Sequence, residues 1–317
     1  MTASHWLTQV LVVLAALAAA PMFVGWINQC RAWLQNKSAP PLLQPYRGIR
    51  KLFHKEAVLA THASSLFRIA PYVVFGSMVC AAAMIPSLGT RLPFSNAADA
   101  IALVGLFATA RVFMSLAAMD VGTAFGTLGA RREMLVGFLA EPALLMVIFL
   151  ASLIASSTAL PAISEGLATR TLALYPSLAF TGVAFLLVLL AENARIPVDN
   201  PATHLELTMI HEAMLLEYSA RHLALMEWAA ALKLLNYACI GFALFLPWGI
   251  ATGDAPGPIT LLASIPILGL KLFAAGAALA FIETVSAKLR IFRAPEFLAT
   301  AFLFAVLGLL VHLLLGA

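Results

Sequence analysis

Five carboxylates gather in one short stretch of an otherwise apolar chain. Only 11% of the 317 residues are charged, yet residues 191–219 hold Glu192, Asp199, Glu206, Glu212 and Glu217. The stretch lies between two long apolar segments, where charge is costly, so its carboxylates indicate an ion path or a docking surface. A solvated loop with surface salt bridges is the alternative. It fits Glu212 better than Glu192 or Glu206, because these two adjoin the apolar segments.

Further charges fall inside the apolar segments themselves. Glu141 and Glu227 are isolated carboxylates, and single buried charges need partners or a hydrated cavity. Desolvated carboxylates of this kind can carry protons near neutral pH, but structural ion pairs that orient helices account for them equally well. Glu227 and Lys233 lie six residues apart and so do not share a helical stripe. The remaining charges of this group are Arg111, Lys271 and Glu283.

Metal-ligand patterns are weak in this sequence. The three cysteines stand far apart, without a C-x-x-C pair. His204 and His211 are seven residues apart, and Leu215 occupies the position where an HExxH motif needs its second histidine. We therefore expect that this chain itself binds no metal and no other cofactor.

A glycine-rich stretch, residues 120–133, ends in Arg131, Arg132 and Glu133. A non-helical turn or a close approach between backbones suits its glycines, which are Gly122, Gly126 and Gly129. The stretch lacks a Walker lysine with Ser or Thr and has no preceding strand, which argues against a nucleotide site. An ordinary turn or loop explains the glycines, but it does not explain Glu141 in the apolar run that follows.

The composition predicts an all-α integral membrane protein. Of the 317 residues, 62% are apolar, well above the share in soluble domains. About 20 mostly apolar residues make one membrane-spanning helix. Eight such spans are predicted, and together they form a single polytopic membrane domain over residues 1–317. The predicted spans are 6–28, 69–89, 98–119, 134–157, 172–192, 223–250, 259–283 and 295–316.

Basic residues are strongly biased towards alternate connections. Fourteen of the 19 lie in four of them, whereas only Arg91 and Arg170 lie in the other connections. The positive-inside rule therefore predicts that the long loops are cytoplasmic, with both termini outside a cell inner membrane. The four basic connections are 29–68, 120–133, 193–222 and 284–294.

The first basic connection contains a predicted amphipathic helix. Prolines at 40, 41 and 45 form a stiff, extended lead-in. Residues 46–60 then place Ile49, Leu52 and Phe53 at helical spacing among basic side chains, which favours a helix lying in the membrane interface. The alternative is a basic loop that only sets the topology.

The connection after the fifth span begins with a break in helical structure. Pro197 and Pro201 follow Glu192 closely, so this part cannot be a regular helix. Residues 203–222 can form a helix, on which Glu206, Met209 and Glu217 share one face.

These residues carry a resemblance to a known family. Residues 192–199 read ENARIPVD, similar to the ETNR-x-P-F-D pattern of subunit 1 of respiratory complex I, and residues 217–219 match its later E-Y-S. The segments 42–45 and 130–133 resemble further signatures. Two features are more similar to the group 4 energy-converting nickel–iron hydrogenases of the hydrogenase-4 and formate hydrogenlyase type. One is the sequence of residues 196–212, IPVDNPATHLELTMIHE. The other is Ala39-Pro40-Pro41, which stands where the quinone-linked branch has Gly-Pro-Asn.

The resemblance implies a membrane anchor and coupling subunit that links electron transfer to proton or Na⁺ translocation. The expected partners are hydrogenase large and small subunits, an Fe–S subunit and antiporter-like membrane subunits, with the Fe–S clusters and the nickel–iron site held by the partners. The ion relay predicted here comprises Glu141, Glu192, Glu206, Glu212, Glu217 and Glu227. The predicted junction with the peripheral arm comprises Gln44, Arg47, Arg131, Arg132, Glu133, Arg195 and Asp199.

Three alternatives remain at this point. The chain could be the quinone-site subunit of an NADH:quinone oxidoreductase, or the equivalent subunit of a related complex without nickel. A secondary transporter acting alone is the third alternative. The sequence shows no inverted repeat and no pair of broken spans, which argues against the transporter.

Overall fold

The computed structural model describes residues 3–60, 63–90, 92–169, 176–199, 209–251, 258–287, 289 and 293–315. Over these ranges the regular elements are helices, as predicted, with a short 3₁₀ helix at Pro93–Ala97. The α-helices are α1 (Ala3–Leu34), α2 (Gln44–Phe53), α3 (Ser65–Met84), α4 (Ala100–Asp120), α5 (Ala124–Ala155), α6 (Leu160–Thr169), α7 (Ser177–Glu192), α8 (His211–Leu215), α9 (Ala220–Phe245), α10 (Pro258–Val285) and α11 (Ala294–Leu315).

Seven of the described helices are long and apolar enough to cross a membrane: α1, α3, α4, α5, α9, α10 and α11. The remaining predicted span, 172–192, corresponds to α7, an apolar helix of 16 residues. A helix of that length covers about 24 Å. Residues 170–175, which precede α7, lie outside the described residues. The prediction of an all-α integral membrane protein is confirmed.

The four basic connections meet at one end of the helix bundle, called the basic end below. The backbone amide of Ser64, before α3, donates to Asp120 at the end of α4 (2.8 Å). Val58 exchanges hydrogen bonds with the hydroxyl of Ser219, and Arg195 pairs with Glu283 of α10. The bundle therefore has the alternating topology that the spacing of basic residues predicts.

The other connections meet at the opposite end. The amide of Thr90 donates to the carbonyl of Ala251 (3.1 Å), and the amide of Ala100 donates to the carbonyl of Thr158 (3.0 Å). These backbone bonds join the α3–α4 connection to the α9–α10 and α5–α7 connections.

Helix α5 begins ten residues before the predicted span. Of the three glycines in the stretch 120–133, Gly122 has a positive φ, +73°, whereas Gly126 and Gly129 are helical. For these two, the interpretation as loop residues was wrong, and the alternative of close backbone approach holds. A Cβ on Gly126 would lie 2.6 Å from the carbonyl oxygen of Ala118, and one on Gly129 would lie 2.9 Å from the Cβ of Ala213. The glycines therefore bring α4 and α8 against the first turns of α5.

The amphipathic helix forms, but over Gln44–Phe53 rather than 46–60. Ile49 is buried, whereas Arg47, Arg50 and Lys51 are exposed. The ring of Phe53 meets Trp228 of α9 edge-on, with centroids 6.5 Å apart. The helix therefore lies with its apolar side on the bundle.

The prediction of one helix over residues 203–222 is wrong for residues 209–222, which the structure describes. Residues 200–208 lie outside the described residues. Helix α8 spans five residues, and α9 starts only at Ala220, after an irregular segment over residues 216–219. Glu217 and Met209 therefore do not share the face of one helix.

Helix α9 lies at the centre of the bundle and is the most buried of the long apolar helices. It packs against α1, α2, α3, α6 and α7. Helices α10 and α11 are the least buried. Trp26 anchors α10 to α1, because its ring stacks on Phe273 (centroids 4.2 Å apart) and its indole N–H donates to the Phe273 carbonyl. The apolar outer faces of α10 and α11 suit lipid or partner helices.

Candidate functional site

A guanidinium lies at the meeting point of three spans. Arg111 projects from the middle of α4 towards α5 and α7 and is 7% exposed. Gly137 of α5 leaves the room it needs, because a Cβ at that position would overlap the guanidinium. The helix ladder of α4 does not supply partners for this group, so its charge must be satisfied by other helices.

Arg111 binds three carboxylates. Nη1 donates to Glu141 Oε1 and Nη2 donates to Glu192 Oε1, while Nε lies 3.4 Å from Glu133 Oε1. The side chains of Glu133 and Glu192 are 1% exposed, and that of Glu141 is 35% exposed. One cation is thus shared by three acids, two of them fully buried.

Lys233 of α9 is the second cation of the site. Its Nζ lies 2.9 Å from Glu192 Oε2 and donates to the Glu192 backbone carbonyl at 2.6 Å. Glu192 is the last residue of α7, so its carbonyl has no partner within the helix ladder. Lys233 therefore caps α7 and neutralises its terminal carboxylate with the same ammonium.

His211, the first residue of α8, continues the site towards the basic end. Its Nε2 lies 3.4 Å from Glu133 Oε2, and its Nδ1 lies 3.7 Å from Asp199 Oδ2. The backbone amide of His211 also donates to Asp199 Oδ2. Burial disfavours the imidazolium, but the carboxylates of Glu133 and Asp199 outweigh burial and raise the pKa of His211 above its ordinary value.

These groups form one connected series, called the ion-pair chain below. It has four carboxylates against two permanent cations, with a histidine whose charge depends on pH. Because the acids outnumber the cations, binding or release of one proton changes the net charge of the series, and a shift of Arg111 between partners redistributes that charge. Its members are Asp199, His211, Glu133, Arg111, Glu141, Glu192 and Lys233.

A second, smaller cluster lies at the basic end. The buried carboxylate of Glu283 is 3.1 Å from Arg195 Nη1 and 3.6 Å from Arg31 Nη1. Arg31 also lines a cleft of about 570 Å³ between α1, the segment before α2 and Ile196. The described residues that line this cleft include Lys37 and no carboxylate.

The structure unites some of the predicted site residues and separates others. Glu141 and Glu192 join the ion-pair chain, and so do Glu133 and Asp199, which we had predicted for the junction. Arg195 pairs with Glu283. Arg132 donates to the carbonyl of Met209 (2.8 Å).

The other predicted residues lie apart from the ion-pair chain. Glu227 is exposed on α9, with Glu212 as its charged neighbour, and Glu217 is half-buried beyond α8. Arg131 is exposed at the start of α5, and Gln44 and Arg47 are exposed on α2. Glu206 lies outside the described residues.

Sequence reasoning did not assign Arg111, Lys233, His211 or Glu283 to the site. A signal existed for Arg111 and Lys233, because a cation inside an apolar span requires a partner. Lys233 was compared with Glu227 on its own helix, yet its partner Glu192 lies 41 residues away in the sequence. Nothing local in the sequence points to that pairing.

Comparisons with known proteins agree with this architecture. A family profile described as NADH dehydrogenase matches residues 7–314. Hydrogenase-4 component C of Escherichia coli (strain K12) is 36% identical over 236 residues, 74% of this chain and 73% of that protein. Formate hydrogenlyase subunit 4 of the same organism is 32% identical over 296 residues, 93% of this chain and 94% of that protein.

Among solved structures, a chain of the membrane-bound sulfane sulfur reductase, an archaeal respiratory membrane complex, superposes with a TM-score of 0.82. That match covers 96% of this chain and 98% of the other at 20% sequence identity, so it bears on the fold alone. The family profile and the two E. coli relatives cover most of the chain, and the protein belongs to the NADH dehydrogenase subunit 1 family.

Proposed function

We propose that this protein is the membrane anchor and coupling subunit of a multisubunit nickel–iron hydrogenase complex of the formate hydrogenlyase or hydrogenase-4 type. In this role it links electron transfer in a peripheral arm to translocation of protons or Na⁺. The ion-pair chain is the observation that carries the proposal, because it runs from the basic end to the middle of the bundle. The relatives with matching sequence, hydrogenase-4 component C and formate hydrogenlyase subunit 4, support the choice of complex.

Docking of the peripheral arm is assigned to the basic end. Exposed cations there, on α2 and at the start of α5, offer a polar contact surface beside the ion-pair chain. The partners that dock are hydrogenase large and small subunits and an Fe–S subunit, and these hold the Fe–S clusters and the nickel–iron site. In this proposal the redox centres belong to those partners, and the part of this chain in the reaction is to move charge.

Movement of Arg111 between carboxylates is the proposed coupling step. When the peripheral arm changes the position or charge of Asp199 and His211, the interaction between His211 and Glu133 changes. The attraction between Glu133 and Arg111 changes with it. A carboxylate that loses the guanidinium keeps at most one cationic neighbour, Lys233 at Glu192 and His211 at Glu133. Its charged form is then less stabilised, and it binds a proton more readily. Return of Arg111 releases that proton.

Glu141 is the member of the ion-pair chain through which charge is proposed to pass to a neighbouring subunit. It is the least buried acid bound to Arg111, and it lies on the lateral surface of α5 among exposed apolar side chains such as Phe138 and Leu145. A carboxylate in that position requires a polar neighbour rather than lipid. Antiporter-like membrane subunits packed on this face would receive the charge. Glu206, Glu212, Glu217 and Glu227 complete the relay proposed at the basic end.

The proposed location is the cell inner membrane, with the basic end cytoplasmic and both termini outside. The bias of basic residues towards the connections of one end supports this orientation.

Purification of the tagged subunit in mild detergent, with mass spectrometry and metal analysis, tests the proposal. Hydrogenase large and small subunits that co-purify with Ni and Fe, and evolve hydrogen, are the expected result. A peripheral arm without Ni would replace the hydrogenase with a related complex. A lone homo-oligomer would overturn the coupling role.

Quinone binding is the second candidate function, favoured by the cleft of about 570 Å³ at the basic end. Its size suits a small molecule, and Arg31 of the second cluster is one of its lining residues. Inhibition of the purified complex by a quinone analogue would favour this function, and insensitivity would favour the hydrogenase.

A further inference from the structure

Tyr237 is a fully buried polar side chain beside the ion-pair chain. It lies on α9 one turn beyond Lys233, further from the basic end, and is 0% exposed. Its ring stacks on Phe107 (centroids 4.9 Å apart, planes 26° apart) and on Phe185 (6.3 Å, 27°). Because packed aromatic rings on both α4 and α7 hold it, the phenol has a fixed position.

The hydroxyl of Tyr237 has no aligned hydrogen-bond partner among the described residues. Buried tyrosine hydroxyls normally have one, either from protein or from ordered water. Its charged neighbours are Glu192, Arg111 and Glu141, all members of the ion-pair chain. The hydroxyl is thus completely buried, lacks an aligned partner and lies beside Glu192, one of the two most buried acids of the site.

The neighbouring polar atoms share this feature. The hydroxyl of Ser115, one turn from Arg111 on α4, is buried and also lacks an aligned partner in the described part of the chain. Glu192 Oε2 touches Lys233 without hydrogen-bond alignment, and Arg111 Nε is likewise unaligned. Two hydroxyls without an aligned partner, together with two ion-paired atoms that lack hydrogen-bond alignment, indicate a buried region that can exchange partners or hold ordered water.

We propose that Tyr237 is a positioning residue at the deep end of the ion-pair chain, where its hydroxyl donates to the Glu192 carboxylate, directly or through one ordered water, when Arg111 turns towards Glu133 or Glu141. This inference rests on the proposed coupling function and adds a second group that, with Lys233, holds Glu192 while Arg111 is bound elsewhere. A phenylalanine would fill the same space between Phe107 and Phe185, so packing alone does not require the hydroxyl.

The test uses the complete complex in proteoliposomes with the variant Tyr237→Phe. Electron transfer stays within about twofold of wild type, whereas the ions moved per electron fall by roughly tenfold. The reason is that one hydrogen bond to a charged group changes the equilibrium between the two states of Glu192 by about that factor. Infrared spectroscopy adds a readout that a packing role would not move. The carboxylate band that Glu192→Gln removes shifts in Tyr237→Phe.

Tyr218→Phe is the matched control. Tyr218 is also buried and stacks on Phe67 (centroids 4.0 Å apart), but its hydroxyl donates to the Phe67 carbonyl, outside the ion-pair chain. Its loss lowers stability and leaves the Glu192 band unshifted.

The outcomes separate this inference from the proposed function. Full coupling and an unshifted band in Tyr237→Phe, with coupling lost in Glu192→Gln, overturn the role of Tyr237 alone. Full coupling in both variants overturns the coupling function as well. If Tyr237→Phe does not assemble, 3-fluorotyrosine at position 237 keeps the ring and makes the hydroxyl a stronger donor. A Glu192 band identical to wild type in that protein overturns the inference.

Discussion

Two cations inside the spans, Arg111 and Lys271, are satisfied in opposite ways. Arg111 binds three carboxylates carried by α5 and α7. Lys271 of α10 donates to the backbone carbonyls of Leu246 (2.6 Å) and Trp248, just after the end of α9. Its Nζ also lies 5.8 Å from the centroid of the Phe242 ring. No carboxylate pairs with Lys271 among the described residues.

The difference indicates a structural role for Lys271, whereas the partners of Arg111 suit the proposed coupling. Backbone carbonyls at a helix end are fixed, neutral acceptors that cannot take up a proton, so Lys271 closes the end of α9 and has one arrangement. Carboxylates can be protonated and can exchange a cation. The proposed coupling step therefore gives Arg111 more than one arrangement, and the two sites should respond differently to substitution.

Replacing Arg111 should have the largest effect. In Arg111→Met, Glu133 and Glu192 remain buried with fewer cations than acids, and removal of one partner of a buried pair costs about 3–5 kcal/mol. We expect little assembled complex in a gel-filtration and thermal-unfolding assay. Arg111→Lys should assemble in larger amounts but couple poorly, because an ammonium does not span three carboxylates as a guanidinium does. Wild-type yield and coupling in Arg111→Met would contradict the account.

Glu141→Gln should reduce coupling with little loss of stability. Its side chain is partly exposed, and Arg111 keeps two carboxylates, so assembly should change by no more than about 1 kcal/mol. The ions moved per electron should fall several-fold, because a glutamine at this position cannot bind a proton as Glu141 does in the proposed coupling. Glu165→Gln is the control, since Glu165 bonds to Thr90 at the opposite end, apart from the ion-pair chain. An equal loss in both variants would count against a specific role for Glu141.

Lys271→Met should show the reverse pattern. The carbonyls after α9 lose their donor, at a cost of about 1–3 kcal/mol, and the unfolding temperature should fall. Coupling per assembled complex should be unchanged, because no member of the ion-pair chain is affected. Unaltered stability together with lost coupling would remove the distinction between the two cations.

His211 should produce the smallest effect, seen in its pH dependence. Because its pKa is raised in the folded protein, its contribution to stability is full below the ordinary value, about 6.5, and is lost as the pH rises through the folded pKa. The unfolding temperature of His211→Gln should therefore depend less on pH from 6.5 upwards than that of wild type. His54→Gln, at an exposed position just after α2, should keep the wild-type dependence.

The class of fold and the topology could be predicted because they follow from local composition. Apolar runs of the length of a membrane give the spans, and the spacing of basic residues gives the alternation of their ends. The start of α5 was missed, because a sequence does not distinguish a glycine that allows close helix packing, such as Gly126, from one in a turn, such as Gly122.

The candidate site was predictable only in its acids. Glu141 and Glu192 stand out as carboxylates in or beside apolar runs. Their shared partner Arg111 lies 30 and 81 residues away in the sequence, and only packing of α4 against α5 and α7 brings the three together. His211 was weighed as a metal ligand, whereas its position between Glu133 and Asp199 depends on the irregular segments that place α8.

Glu192 tests the central claim most directly, because it joins both cations of the ion-pair chain. The measurement is the number of ions translocated per electron in proteoliposomes containing the Glu192→Gln complex, with hydrogenase activity recorded in the same sample. The account predicts hydrogenase activity close to wild type with translocation strongly reduced. Normal translocation at normal hydrogenase activity would contradict it.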